Sequence, residues 1–181
     1  MPLPALLAPN TTVAPPGGKH RAVSPVAGKA ASLGLAMEQQ KQDNWCWAAV
    51  AVSVTKFVAG VGVGVDQCEQ ANDQLHRTSC CADPASCNLQ MPLDPQLFVR
   101  TTGAFPIEIV KQQIDGRRPV GVRITWSGGG THFVCIDGYN VAGAVPVVSV
   151  RDPWYGDSTV PYSVLATSYQ ATGTWTDSYR V

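Results

Sequence analysis

The chain has 181 residues, enough for one domain with a substantial apolar core. Only 14% of them are charged, and 13 basic residues balance 13 acidic ones, so no basic face for nucleic acid or anionic lipid is expected. The longest apolar stretch, residues 45–65, is broken by Ser, Thr, Lys and Gly and reads as a core helix and loop rather than a membrane span.

Residues 1–37 are rich in Pro, Gly, Ala and Ser, with Pro15-Pro16-Gly17-Gly18 at their centre. That composition predicts a tail, linker or pro-segment. Its start, Met1-Pro2-Leu3-Pro4, lacks the basic region and long apolar region of a general secretory signal. The folded domain is expected over 38–181.

Asn44-Trp45-Cys46-Trp47-Ala48-Ala49 opens an apolar run that predicts a largely buried helix over about 44–60, stopped by Gly60-Val61-Gly62-Val63-Gly64. Asp66–His76 reads as a short helix capped by Asp66. Asp94-Pro95 has the form of a cap followed by an N1 proline and predicts a helix over Gln96–Thr101. Ile107, Val110 and Ile114 recur at helical spacing between Pro106 and Gly116. The period then changes. Val120–Trp126, His132–Tyr139, Val145–Val150 and Thr172–Arg180 carry the β-branched and aromatic residues of strands, with turn signals at Gly128-Gly129-Gly130. Helices first and an antiparallel sheet second predict an α+β domain.

Six cysteines fall into two sets. Cys68, Cys80, Cys81 and Cys87 crowd a loop too polar to hold itself by packing, where two disulfides would staple it. A strained vicinal bond aside, the pairings 68–80 with 81–87 and 68–81 with 80–87 both remain open. A zinc site with His76 is the rival reading, although adjacent cysteines rarely bind one metal. Disulfides point to an oxidising destination, reached by a dedicated secretion machine or after release from a larger polypeptide. Cys135 lies inside an apolar strand and reads as a core thiol.

Cys46 differs because it opens a buried helix. Unpaired N–H groups and the positive end of the helix dipole favour thiolate there. A thiolate nucleophile needs a base, and the chain has three histidines. His20 lies in the tail and His76 among the clustered cysteines. His132 follows a triple glycine and opens an apolar strand, so it is the candidate base. Asp152, ending the strand Val147–Val150, would come near His132 if the two strands are antiparallel neighbours, and would fix the imidazole tautomer. Trp154 would cover the His–Asp hydrogen bond. The oxyanion of an acyl transfer needs donors, for which the Cys46 N–H and an upstream glutamine amide are the candidates.

Gln40, Trp45-Cys46-Trp47-Ala48-Ala49, Thr131-His132-Phe133 and Asp152-Pro153-Trp154 together resemble the papain-like cysteine protease clan. The likeness is greatest to compact bacterial members of the secreted effector type, in which Trp-Cys-Trp-Ala-Ala, a Cys-Cys loop and a terminal Gly-Thr-Trp-Thr strand recur; Gly173-Thr174-Trp175-Thr176 stands here. The resemblance covers about residues 38–181. It implies a papain-like α+β fold, with the cysteine helix packed on the sheet. It further implies Cys46 as nucleophile, His132 as general base and acid, Asp152 as its orienting partner, and Gln40, or Gln42 in another register, as oxyanion donor. Plant papains differ: their Cys-Gly-Ser/Ala-Cys-Trp motif is absent here, Asp replaces their Asn, and His132 follows Cys46 too closely for two full subdomains.

The expected activity is endoproteolysis of a protein substrate by an exported bacterial effector or toxin, with no cofactor or metal and neither nucleic acid nor membrane as partner. An inhibitor or immunity protein is a further expected partner. The alternatives are glutamine deamidation or transamidation on the same triad, or a disulfide- or zinc-stapled binding module whose triad is vestigial.

Overall fold

The computed structural model describes residues 29–60 and 64–181. Most of the Pro/Gly-rich segment, with His20, and the centre of the Gly-Val run lie outside the described residues. Within them the chain forms β1 (Ala30–Ser32), α1 (Cys46–Ala59), α2 (Gln67–Leu75), a 3-10 turn (Pro84–Cys87), β2 (Val99–Thr102), α3 (Ile107–Asp115), β3 (Val120–Trp126), β4 (Thr131–Asn140), β5 (Val147–Arg151), β6 (Ser158–Pro161), α4 (Tyr162–Thr167) and β7 (Gly173–Arg180). The fold is α+β.

The strands form one antiparallel sheet in the order β2-β7-β3-β4-β5-β6. β1 pairs with β4 through Ala31 opposite Tyr139, just beyond the stretch where β3 pairs Val120 with Ile136. The strand β1 and the buried Leu35 thus lie within the stretch that composition groups with the tail.

The sheet has a core on each face, and the period-2 alternation of β4 divides its side chains between them. Phe133 and Cys135 join Trp45, Trp47, Val50, Ala51 and Val54 under α1. Val134 and Ile136 join Val110, Ile114 and Leu165 from α3 and α4. Every residue from Cys46 to Val54 is buried. Valine, a modest helix former, alternates there with alanine, the best one, so burial and propensity both favour α1. In α2, Asp66 and Glu69 form a capping box, and His76 ends the helix in the left-handed region at φ 53°.

The helix expected over Gln96–Thr101 is absent. Asp94 does cap one turn: its side chain accepts from Gln96 N at 2.8 Å, and its carbonyl accepts from Leu97 N and Phe98 N. The chain then leaves the turn to pair Val99–Thr102 with Arg180–Asp177 of β7. β2 is exposed throughout, so it carries no inside–outside alternation to announce it.

Candidate active site

Three segments converge where α1 begins. Cys46 starts α1 with no side-chain cap and no acidic residue in the first turn. Its first N–H groups are therefore left to whatever negative charge arrives at the helix start. The flanking tryptophans fix the helix end from both sides. Trp45 Nε1 donates to Cys87 O at 2.8 Å, and Trp47 Nε1 to Leu89 O at 2.9 Å. Asn44 donates two more hydrogen bonds to Asn88, from its backbone N–H to Oδ1 at 2.8 Å and from Nδ2 to the carbonyl at 3.1 Å. The loop that receives these contacts is held by disulfides Cys68–Cys81 and Cys80–Cys87, the second of the two pairings left open by the sequence. All four thiols are thereby paired, and His76 is an exposed helix cap. Among the described residues no group of His, Cys, Asp and Glu is arranged to hold a metal ion.

The β3–β4 hairpin supplies His132. Its turn needs Gly129 and Gly130 at φ 92° and 85°, values at which a side chain would be strained. His132 is buried between Trp126, stacked at 6.1 Å, and Tyr155, edge-on at 6.1 Å. Its Nε2 bonds Asp152 Oδ1 at 2.9 Å, and the ring lines the same cavity as Cys46, close enough for the thiol to act on its charge. Burial alone would push the imidazole toward its neutral form. The hydrogen bonds and charges of Asp152 and Cys46 outweigh it and raise the pKa to about 9.

Asp152 follows β5, the neighbour of β4 on the side away from β3. Its carboxylate is fully used. Oδ1 also accepts from the backbone N–H of Trp154 at 2.7 Å and of Tyr155 at 2.9 Å, and Oδ2 accepts from Tyr169 Oη at 2.7 Å. Burial alone would raise its pKa, but the His132 hydrogen bond and these donors bring it below the usual carboxylate value. Tyr169 in turn sits in a tight backbone exchange with Gly173, each donating to the other's carbonyl, at 2.9 and 2.8 Å.

A cavity of about 410 Å³ opens over this cluster, lined by Cys46, His132, Gln40, Gln90, Trp154 and Tyr155 among others. Gln40 therefore lies beside Cys46, while Gln42 offers only its carbonyl. The Gln40 amide, however, donates to Gln42 O at 2.8 Å and Asp43 O at 2.7 Å, so both its hydrogens are engaged by its own loop. Its Oε1 is buried without a partner, and its backbone N–H ties the loop to Pro153 O at 2.9 Å. Trp154 stands half-exposed at the cavity rim. The rings flanking His132 are those of Trp126 and Tyr155.

Four contacts escaped the sequence reading: Trp126, Tyr155, Tyr169 and Gln90. Tyr155 was signalled weakly by following Asp152-Pro153-Trp154, and Trp126 by closing the hairpin across from His132. Nothing local marks Tyr169 or Gln90. The Gln90 amide donates to Thr131 O at 3.0 Å and lies 3.8 Å from Cys46 Sγ. Cys135 is the buried core thiol expected, and burial drives its pKa far above the ordinary thiol value.

The family model for the papain-like cysteine protease AvrRpt2 matches residues 29–170. No curated protein matches the chain.

Proposed function

The chain belongs to that family of papain-like cysteine proteases, a hydrolase family acting on protein substrates, and on that premise we propose that Cys46, His132 and Asp152 form its catalytic triad and cleave internal peptide bonds. The observation that carries this reading is the single imidazole bonded to Asp152 that lines one cavity with Cys46, whose thiol acts on its charge.

The Cys46 thiolate attacks the substrate carbonyl carbon while His132 holds its proton as imidazolium. The oxyanion of the tetrahedral intermediate meets the Cys46 N–H at the start of α1. Gln40 serves as second donor once its amide turns from the Gln42 and Asp43 carbonyls. His132 then protonates the departing amine, the C–N bond breaks and a thioester remains. Water gives a proton to His132 and adds to the thioester, releasing the acid and restoring the ion pair. These steps call on no metal or organic cofactor.

The test is mass spectrometry of a protein mixture treated with wild type and with Cys46→Ala. New peptide termini formed by wild type and absent with the variant are expected. Activity that survives the substitution sinks the assignment. A second reading, deamidation or transamidation of glutamine, applies the same triad to a side-chain amide. It predicts a shift of about one dalton without new termini. A vestigial triad would leave Cys46 unreactive toward a thiol alkylator.

The paired disulfides support an exported bacterial effector or toxin reached by a dedicated secretion route. Among the described residues no helix is long and apolar enough to cross a membrane. Residues ahead of the domain would serve as a translocation tail or pro-segment, and a dedicated inhibitor or immunity protein would act by covering the cleft.

A further inference from the structure

We propose that the cavity beyond Gln90 receives an acidic side chain of the protein substrate, one placed within about three residues of the cleaved bond. This rests on the peptidase reading above. The cavity measures about 280 Å³ and shares Gln90 and Thr131 with the one over Cys46. The hydrogen bond from Gln90 to Thr131 O divides the two. An extended chain with its carbonyl at Cys46 Sγ crosses that bridge and sends a nearby side chain into the second cavity.

The electrostatics of that cavity select the side chain. Among the described residues its only charged lining groups are Arg100 and Arg123. Both guanidiniums rest on one carboxylate, Asp177, at 2.6 and 3.2 Å. Asp177 is 3% exposed while the two arginines are 55% and 33% exposed, so the negative charge lies behind the positive ones. One cation is left in excess, facing the opening with unused N–H donors in a geometry suited to a carboxylate. Around it Phe133, Tyr179, Met91 and Pro92 supply apolar walls for an aliphatic stem. The chain carries no net charge, so this pair is a local feature rather than part of a basic surface.

Termini released from a protein mixture will show Asp and Glu enriched at one fixed position. A peptide pair differing only by Glu or Gln there will be cleaved with about a fivefold preference in kcat/KM for Glu at low salt, shrinking as salt rises. Arg123→Met and Arg100→Gln will each bring that ratio toward one. Arg100→Gln keeps the Arg123–Asp177 pair, so its result stands even if Arg123→Met folds poorly. No enrichment, or a ratio unchanged in Arg100→Gln, overturns the pocket assignment while the peptidase reading survives. Absence of any Cys46-dependent cleavage overturns both.

Discussion

Replacing Asp152 by Asn removes a charge while leaving every contact geometrically possible. The amide oxygen can still accept from His132, Trp154 and Tyr155, and the amide nitrogen can donate to Tyr169 Oη with that hydroxyl turned to accept. What is lost is support for the imidazolium. A hydrogen bond to a charged group contributes about 2 kcal/mol, equivalent to about 1.5 pKa units. His132, raised to about 9 in the native protein, would then titrate near about 7.5. At pH 7.5 the protonated fraction falls from about 97% to about 50%, a twofold loss of competent enzyme. At pH 8.5 it falls from about 76% to about 9%, an eightfold loss. The assay is kcat/KM on a peptide substrate from pH 6 to 10. The expected signature is a penalty that grows with pH, because the alkaline limb moves down. His132→Ala should be far worse and show no such displaced limb. An Asp152→Asn profile lowered uniformly, with its alkaline limb unmoved, would refute the charge argument and leave Asp152 an orienting role only.

Gln40→Leu should lower kcat about a hundredfold with little change in KM, the usual loss for one oxyanion donor; a loss under threefold would mean that its amide stays on its own loop. Gly173→Ala should cost about 1–3 kcal/mol, because its Cβ would meet Ile124 Cγ2 at 2.5 Å, Trp126 Cζ3 at 2.7 Å and Tyr169 O at 2.9 Å. Since Trp126 stacks on His132 and Tyr169 donates to Asp152, kcat should fall along with Tm, and a lower Tm with unchanged kcat would uncouple those contacts from the chemistry. Folding stability should decline with alkaline pH. The His132 pKa is raised from 6.5 to about 9 on folding, so its contribution is complete below pH 6.5 and is lost as pH passes about 9, up to about 3 kcal/mol in all. Asp152, lowered on folding, works in the other direction: its contribution is present above its unfolded pKa and is lost as pH falls through the folded one. Urea midpoints at pH 6 and pH 9.5 measure the alkaline part. The drop should be smaller in Cys46→Ala, which lacks one of the two partners that raise His132.

The convergence of the three candidate residues was the legible part of this sequence, because each comes with a local reason for its position. Cys46 opens a buried helix, His132 leaves a glycine turn, and Asp152 ends the strand beside it. α1, α2 and α3 announce themselves by period and caps, and β3, β4, β5 and β7 by branched and aromatic residues. What escaped depends on long-range pairing. β2 is an exposed edge whose Asp94-Pro95 signal is true for one turn, until pairing with β7 prevails. β1 has three residues in a composition typical of a tail, and only β4 makes it a strand. β6 and α4 are too short to show a period. Trp154 was assigned the covering role from its spacing alone. In the structure the rings against His132 are Trp126 and Tyr155, and Trp154 stands half-exposed at the cavity rim.

The same long-range dependence explains how a short domain holds a three-residue constellation without two full lobes. Each proposed catalytic side chain is fixed by neighbours distant in sequence, and those neighbours are themselves clamped. Cys46 is held by indole bonds to a loop that would be too polar to stay put, were Cys80–Cys87 not closing it at the residue whose carbonyl Trp45 uses. Asp152 is held by Tyr169, whose backbone is locked to Gly173 at the start of β7. The Gln40 loop is tied to the same turn through Pro153 O. Reducing the two disulfides should therefore loosen Cys46 and Gln90 together while leaving the His132–Asp152 pair intact.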